Sequence, residues 1–335
     1  MSWFAYTADN MSNSIQAYSI RPDGSLDHLG SAIPDGAYCM HSYANKLFVA
    51  GGGPDGGVIS VYHINKDGSL SERIKNYSIG GINTIEFIVS VRRLSSEFLI
   101  LFPYGRGIQT YKYNENTNTI EKLGEYSSEN EEFGNIALDG AGRFLYGVQT
   151  NGRIEFDIWS FFVSPSGTLE MWDKTKLLDH DDFPLAVDPM GHFIYAGSVL
   201  STDLRGCKVD FGKLSPIGGD VRDYVPGPPS AIKIRADGKI LFASTTVAPI
   251  TGEGENRILS YSIHPETGML TALSDHKCET MVSSLVTAMG DKYLYAPSYT
   301  KDQIDWFEID ANGKLLQKPT TATKIRATAM VVVEV

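Results

Sequence analysis

A short hairpin phrase recurs seven times along this chain, and it restricts the possible folds more than any other feature. Each copy is an alternating strand that ends in an aromatic and an apolar residue, followed by a turn rich in Asp, Asn or Gly and then by Leu or Ile. The copies read AYSIRPDGSL, VYHINKDGSL, TYKYNENTNTI, SFFVSPSGTL, KVDFGKL, SYSIHPETGML and WFEIDANGKL. The fifth copy is shortened, and the others carry the aromatic anchors Tyr18, Tyr62, Tyr111, Phe161, Tyr261 and Phe307.

The anchors follow one another at 44 to 50 residues, with one double interval across the shortened copy. A second hairpin phrase precedes many of them, as in IALDGAGRFLYGV, LAVDPMGHFIYAG, IKIRADGKILFAS and VTAMGDKYLYAPS. Short alternating runs bounded by turn residues are typical of β-strands. Four strands in each period of about 40–50 residues indicate a β-propeller blade. The sequence therefore predicts an all-β fold: one domain over residues 1–335, a seven-bladed β-propeller with four antiparallel strands per blade.

The two ends of the chain predict how this propeller closes. The last run, ATAMVVVEV, has the pattern of an innermost strand, and residues 3–30 supply the three other strands of one blade. Counted from Phe307 through the last residue and on to Tyr18, the distance is 46 residues, again one period. We therefore expect residues 328–335 to complete the blade begun by residues 3–30, which removes the exposed sheet edges of an open ring.

Composition and charge exclude several classes of function. The net charge is −11, so the chain lacks the cationic face that nucleic-acid binding requires. No run approaches the roughly 18 apolar residues of a membrane span, and the first residues do not resemble a secretory leader. We expect a soluble, cytoplasmic protein without nucleic-acid or membrane partners, and the oligomeric state stays open.

No cofactor or metal motif is present in the sequence. A P-loop, a dinucleotide-binding glycine fingerprint and a GxSxG elbow are all absent. The run GGGPDGG at residues 51–57 fits a hairpin loop, and the three cysteines have no metal-type spacing. We predict neither a cofactor nor a metal.

Ligands of propellers bind where the loops converge at one mouth of the central channel. Ten residues are predicted to lie there. The candidate catalytic donors are Tyr104, Asn135, Gln149 and Tyr299. The candidate substrate-binding residues are His41, Arg106, Phe183, Ser198, Thr246 and Arg326. For several of these a structural role is the alternative: the tyrosines could be packing residues, and Arg326 could pair with an acidic loop. His41 is the residue of this set that ordinarily titrates between pH 6 and 8.

The hairpin phrases together resemble the seven-bladed lactonase family, which includes bacterial 6-phosphogluconolactonases and fungal carboxymuconate cyclases. The resemblance rests on the DPxGxxxY and xYxIxxxxGxL hairpins and covers essentially the whole chain. In that family a quartet of His, two Arg and Glu handles an anionic lactone at the channel mouth. This sequence has other residues at those places: Asn135, Phe183 and Pro184, Ser198, and Thr245 and Thr246.

The loss of the charged quartet leaves three classes of function open. The first is a small-molecule cyclase, by analogy with fungal proteins that resemble this family and act as hetero-Diels–Alderases, joining a tropolone quinone methide to a sesquiterpene alkene. Such chemistry needs apolar substrates held in register and donors that polarise a carbonyl. The second is a lactonase or cycloisomerase with a relocated site that uses His41, Arg106 and Arg326. The third is a non-catalytic binding or scaffold propeller. The preferred hypothesis is the cyclase.

Overall fold

The computed structural model is all-β, as predicted. The residues that it describes are 2–9, 14–33, 39–53, 56–78, 90–94, 97–103, 107–127, 133–149, 156–178, 182–198, 201–218, 226–247, 252, 254–324, 326–327 and 329–335. Within these ranges the strands form seven antiparallel sheets, and no helix occurs, so none is present that could cross a membrane. The prediction of a propeller with four-stranded blades is confirmed.

The blades are numbered in chain order, and their strands run from the innermost to the outermost. Blades 1 to 3 contain β29 (Ala329–Glu334), β1 (Trp3–Asp9), β2 (Ser14–Ile20) and β3 (Leu26–Ile33); β4 (Cys39–Tyr43), β5 (Lys46–Gly53), β6 (Gly56–His63) and β7 (Lys75–Ser78); and β8 (Ser90–Leu94), β9 (Glu97–Pro103), β10 (Gly107–Asn114) and β11 (Thr119–Ser127).

The other four blades follow the same order. Blades 4 and 5 contain β12 (Phe133–Leu138), β13 (Phe144–Gln149), β14 (Phe156–Val163) and β15 (Leu169–Leu178); and β16 (Asp182–Val187), β17 (Phe193–Ser198), β18 (Leu204–Asp210) and β19 (Lys213–Pro216). Blades 6 and 7 contain β20 (Pro229–Ile234), β21 (Ile240–Thr245), β22 (Arg257–Ile263) and β23 (Leu270–Lys277); and β24 (Val286–Ala288), β25 (Tyr293–Pro297), β26 (Gln303–Ile309), β27 (Leu315–Gln317) and the short β28 (Thr321–Ala322).

Among the residues that the structure describes, the hydrophobic core consists of seven clusters, and each of them fills the space between two successive blades. Phe4 and Tyr62 belong to the cluster between blades 1 and 2, for example, and Tyr195 and Tyr261 to the one between blades 5 and 6. The cluster that contains Tyr18 and Trp306 joins blade 7 to blade 1. Because every blade packs on the next and the seventh packs on the first, the blades form a closed ring.

The ring is closed by pairing between the two ends of the chain. Strand β29 runs antiparallel to β1 in a register from Trp3–Glu334 to Ala8–Ala329. Beyond the strands, Ser2 and Val335 exchange two backbone hydrogen bonds of 3.0 and 2.9 Å. The prediction that the last strand completes the first blade is confirmed.

A glycine in the outer hairpin of several blades allows close contact with the preceding blade. Gly68 has φ +80°, and a Cβ there would lie 2.3 Å from a ring carbon of Phe4. The carbonyl of Gly68 accepts a hydrogen bond of 2.8 Å from Tyr6 Oη of the same neighbour, and Gly24 accepts one of 2.6 Å from Tyr295 Oη. The recurring glycine therefore serves both the turn, which needs a positive φ, and the interface, which has no room for a side chain.

The shortened fifth copy of the repeat forms a two-residue hairpin. Phe211 and Gly212 both have positive φ, 45° and 78°, as a type I′ turn requires. Phe211 is an unusual residue for this position, because a bulky side chain in the left-handed region is strained. Its ring lies edge-on to Phe144 at 5.2 Å, and its carbonyl accepts a 3.0 Å hydrogen bond from Trp172 Nε1. Contacts with blade 4 thus hold the strained turn in place.

Candidate functional site at the channel mouth

The strand register brings most of the predicted mouth residues that the structure describes to one end of the ring. The last residues of the second strands pair with the first residues of the inner strands: Phe133 with Gln149, Asp182 with Ser198, and Pro229 with Thr245. In blade 7 a bridge joins Val282 to Ser298 in the same way. This end of the ring is called the mouth below.

Three inner strands are irregular at the mouth. The register shifts between Phe133 and Ile136 in blade 4, between Asp182 and Leu185 in blade 5, and between Pro229 and Ala231 in blade 6. A β-bulge changes the direction of a side chain and interrupts the ladder, and bulges are frequent beside active sites. The residues inside these bulges include Asn135, Phe183 and Ser230. Two of the three were predicted as site residues.

The residues within the bulges are neutral. Asn135 is half-buried and engaged in polar contact, and the Ser230 hydroxyl lies 2.9 Å from that of Ser244. At the corresponding end of blade 7, the Oγ of Ser284 is buried and has no hydrogen-bond partner among the described residues. A hydroxyl without a partner can donate to a ligand oxygen without first giving up a bond in the protein.

Gln149 has a structural partner at the mouth. It is buried at the end of β13, and its Oε1 accepts a 3.2 Å hydrogen bond from Trp159 Nε1. Trp159 in turn packs at 90° on Phe133 at 5.7 Å. The predicted catalytic role of Gln149 would therefore have to use its amide NH₂, since its oxygen already satisfies the buried indole.

Ser198 closes the turn after β17. It is fully buried, and its Oγ accepts a hydrogen bond of 3.3 Å from the Ser201 backbone N–H. Ser298 does the same in blade 7, where its Oγ accepts from Lys301 N–H at 2.9 Å. The repetition in two blades indicates a structural motif. The ligand contact predicted for Ser198 would require this turn to open.

The other described candidates differ in exposure. Thr246 is buried, and its N–H donates to the Pro228 carbonyl at 2.9 Å. Tyr299 is 47% exposed, and its backbone N–H donates a 2.9 Å hydrogen bond to the Met281 carbonyl. Arg326 is exposed and makes no hydrogen bond or ion pair within the described part of the chain. The pairing of Arg326 with an acidic loop, which the sequence allowed, is therefore not observed among these residues.

His41 lies deeper than the sequence predicts. It occupies the middle of β4, opposite Phe48, and is half-buried, whereas the sequence predicted that it lies at the mouth. The difference arises because β4 begins at Cys39, two residues before His41. Desolvation, and secondly the positive charge of Lys233, lower the pKa of His41 to about 4. The expectation that His41 titrates between pH 6 and 8 is therefore corrected: it is neutral at pH 7.

Lys233 is a partly buried residue of an inner strand that the sequence did not single out. It lies on the inner strand β20, opposite Phe242, and it is partly buried. The available signal was its place in IKIRADGK, where the matching phrases IALDGAG and LAVDPMG have alanine between two apolar residues. A lysine between apolar strand residues is usually solvent-facing, so the sequence did not indicate that this side chain is partly buried.

Three predicted residues cannot be placed at the site. Tyr104 and Arg106 lie outside the described residues. Phe183 lies on the backbone of β16, and its side chain is also outside them. For the described part of the chain, no group of three or more His, Cys, Asp or Glu side chains is arranged to hold a metal ion.

Comparisons with known proteins agree with this architecture. The family model described as "Lactonase, 7-bladed beta-propeller" matches residues 212–329, which run from the outer hairpin of blade 5 to the start of β29. A search of curated proteins finds no match.

Solved structures of similar fold extend over the whole chain. The periplasmic gluconolactonase of Pseudomonas aeruginosa superposes with a TM-score of 0.80 at 14% identity, covering 99% of both chains. A protein of Bacteroides uniformis to which 6-phosphogluconolactonase activity is ascribed superposes with a TM-score of 0.82 at 15% identity, again over 99% of both. A Lactobacillus plantarum protein reaches 0.82 at 13% identity over the full length of both chains. At these identities the likeness shows the fold alone: the chain is a seven-bladed β-propeller, and its residues 212–329 match the model of the lactonase family.

Proposed function

We propose that this protein is an enzyme that closes rings in a small, mainly apolar substrate at the mouth, using neutral hydrogen-bond donors. The observation that carries the proposal is the set of bulged inner strands, which place Asn135 and Ser230 at the mouth and leave no carboxylate–imidazole pair among the described residues there. Its most specific form is a hetero-Diels–Alder reaction between a tropolone quinone methide and a sesquiterpene alkene.

The chemistry of a cycloaddition suits such a site. Both new bonds form in one step, so no nucleophile or strong base is required, and holding the two reactants in register can contribute about 7–11 kcal/mol in favourable cases. A neutral donor to the carbonyl that gains negative charge adds a few kcal/mol. The buried, unpartnered hydroxyl of Ser284 and the half-buried amide of Asn135 are candidates for this donor.

The test is adduct formation from a quinone-methide precursor and a medium-ring alkene, with the stereochemistry of the product read out. We expect one enantiomer in excess and a rate that is nearly constant between pH 6 and 8, because His41, with its pKa of about 4, stays neutral over that range. Asn135→Leu should slow the reaction up to about 10²-fold. Asn312→Leu, a change in an exposed hairpin, is the control.

Filling the mouth with Ser230→Trp should reduce the rate more than Asn135→Leu does, because templating supplies the larger part of the acceleration. A racemic product formed at the uncatalysed rate by the wild-type protein would refute the cyclase proposal. So would a bell-shaped pH profile.

A second candidate, hydrolysis of a sugar lactone, is favoured by one specific observation. Arg326 is exposed just before β29 and has no partner within the described residues, so its guanidinium is available to an anionic substrate. The gluconolactonase fold of the relatives supports the same function. The test is hydrolysis of gluconolactone and of 6-phosphogluconolactone, measured by the release of acid. Arg326→Met should lose the activity on the phosphorylated substrate, and Lys324→Met should keep it.

A further inference from the structure

A cavity of about 400 Å³ lies between blades 6 and 7, at the end of the ring opposite the mouth. Three hairpins line it: the inner hairpin of blade 6 with residues 235–237, and the inner and outer hairpins of blade 7 with residues 290–292 and 309–311. Its volume lies within the range of small-molecule sites, roughly 300–1,000 Å³. We call it the far-end cavity, because none of its lining residues belongs to the mouth.

The inner hairpin of blade 7, which borders this cavity, is short and strained. Only four residues, 289–292, separate β24 from β25, whereas five residues separate the corresponding strands of blades 4, 5 and 6. Three consecutive residues of the short turn, Met289, Gly290 and Asp291, have positive φ of 55°, 65° and 62°. This conformation is unfavourable for the two residues that have a side chain. Such strain persists where the surrounding structure holds it, and it is frequent at ligand sites.

Glycines at the same end of earlier blades show how closely the blades otherwise pack. A Cβ on Gly238 of blade 6 would lie 2.5 Å from Asp188 Oδ1 of blade 5. A Cβ on Gly140 of blade 4 would clash with the carbonyl oxygen of Pro189 in blade 5. A Cβ on Gly290, in contrast, would meet no heavy atom within 4 Å. Space that a neighbouring blade fills elsewhere is therefore open beside the short turn of blade 7.

An arginine, Arg235, takes a place that aspartates hold in two other blades. Asp139 and Asp188 are buried there, and their carboxylates accept hydrogen bonds from N–H groups of their own turns. The Arg235 side chain is only 16% exposed, and its Nε and Nη2 donate to the Asp237 carboxylate at 2.9 and 2.6 Å. Its Nη1 donates no hydrogen bond within the described ranges. The ion pair therefore fixes the guanidinium and leaves one of its nitrogens available.

Two aspartates of blade 7 supply acceptors at the same cavity. Asp291 Oδ2 accepts a 2.7 Å hydrogen bond from the Ala236 N–H across the blade interface. Asp310 Oδ1 accepts hydrogen bonds of 2.8 Å from the Asn312 and Lys314 N–H groups. The second oxygen of each carboxylate has no hydrogen-bond partner among the residues that the structure describes. Both carboxylates are thus held in place by the backbone, and each keeps one oxygen for a ligand.

The balance of charge in the far-end cavity favours a neutral ligand. Arg235 and Asp237 neutralise each other, so an ion that bound either of them would have to compete with an existing pair. The ammonium group of Lys292 lies 5.0 Å from the centre of the Tyr293 ring, and Tyr293 is the largest cause that raises the pKa of Lys292. A hydroxyl group both donates and accepts, so it suits the remaining N–H groups of the guanidinium and the remaining oxygens of the two aspartates.

We propose that the far-end cavity binds a neutral polyhydroxylated compound of the sugar or cyclitol class. Adjacent hydroxyl groups of this ligand donate to the free oxygens of Asp291 and Asp310 and accept from Nη1 of Arg235. Hydrogen bonds to charged groups are the stronger kind, which compensates for the small apolar area of the lining. The site lies at the opposite end of the ring from the mouth and does not depend on the function proposed there.

The experiment is an NMR titration of the backbone amides of the whole chain, with glucose and myo-inositol as probes. We expect saturable shifts at Ala236, Gly290 and Ala311, which line the cavity. Methylammonium chloride and sodium acetate, at the same concentrations, are the charged references and should not shift these amides. Shifts with a charged reference and not with the sugars would overturn the proposal, and so would sugar shifts that are confined to the mouth residues Ser230 and Thr246.

A double variant tests the two aspartates without removing their structural bonds. In Asp291→Asn with Asp310→Asn, each asparagine keeps the oxygen that accepts from a backbone N–H, and its NH₂ replaces the free oxygen. We expect the affinity for the sugar to fall about tenfold or more. Asp67→Asn is the matched control, because Asp67 Oδ1 accepts a 3.0 Å hydrogen bond from the Ser69 N–H in an equivalent exposed hairpin. Equal affinities of the double variant and this control would refute the assignment.

A second pair of variants separates the far-end cavity from the mouth. Gly290→Asn places a side chain in the open space, and asparagine tolerates a positive φ better than most residues do. It should abolish the shifts at Ala236 and Ala311, whereas Ser230→Trp, which fills the mouth, should leave them unchanged. The wild-type titration decides the matter even if a variant does not fold. The proposal is wrong if neither sugar shifts the amides of the cavity at decimolar concentration.

Discussion

Replacing Gly68 by alanine tests whether the outer-hairpin glycines hold successive blades together. The substitution introduces two unfavourable effects at once. Alanine must adopt φ +80°, which costs about 1–2 kcal/mol for an L-residue. Its Cβ would also lie 2.3 Å from a ring carbon of the buried Phe4, and overpacking of this kind costs about 1–3 kcal/mol. The expected total is therefore about 2–5 kcal/mol of unfolding free energy.

For a chain of this length the loss corresponds to a fall in melting temperature of about 3–7 °C. Circular dichroism in a thermal scan measures it. The matched control is Gly290→Ala, because Gly290 has φ +65° but a Cβ added there would meet no heavy atom within 4 Å. This control should lose only the conformational part, about 1–2 kcal/mol.

The Phe4→Leu background isolates the contact with the neighbouring blade. Leucine lacks the ring carbons that a Cβ on residue 68 would meet, so Gly68→Ala should cost less in this background than in the wild type. The difference is the coupling energy of the double-mutant cycle. If Gly68→Ala lowers the melting temperature no more than Gly290→Ala does, the close approach of the blades is not what selects glycine, and the reasoning fails.

Three further predictions concern closure, pH and the mouth. Deletion of residues 328–335 removes β29 and its pairing with β1, so cooperative unfolding should be lost; an unchanged melting temperature would contradict the closure. Because the pKa of His41 is about 4 when folded and about 6.5 when unfolded, the unfolded chain takes up the proton first, and about 3 kcal/mol of stability should disappear as the pH falls from 6.5 to 4. His41→Gln should flatten this acid slope in urea titrations, while the exposed His264→Gln should not; parallel slopes would exclude His41 as the cause. Gln149→Leu leaves Trp159 Nε1 without its acceptor and should cost about 1–3 kcal/mol of unfolding free energy, measured against the exposed Gln317→Leu. Equal losses in these two variants would show that the indole finds another partner.

The repeat made the fold predictable from the sequence. The hairpin phrases gave the number of blades, and the alternation in AMVVVE was enough to pair the last strand with the first. Both are local patterns of period two with turn residues at fixed places, and such patterns survive divergence because each blade must bury its two faces.

Positions within the site were less predictable. The depth of His41 depends on where β4 enters the ring, which a hairpin phrase does not specify. Ser198 is buried, and its Oγ accepts a hydrogen bond from the Ser201 N–H, a local feature of the turn after β17. Lys233 is partly buried because neighbouring blades pack beside the inner strand β20. Each of these facts depends on register or on distant blades, whereas the sequence pattern reports on neighbours along the chain.

The pairing of β1 with β29 also has a consequence for how the protein is made. Ala8 and Ala329 are partners although they lie near opposite ends of the chain, so β1 emerges from the ribosome long before the strand that covers its inner edge. At about 5–20 residues per second, that edge stays open for tens of seconds. An unpaired edge can recruit a strand from another chain, so the yield of folded protein should fall when synthesis is crowded or stalls before β29.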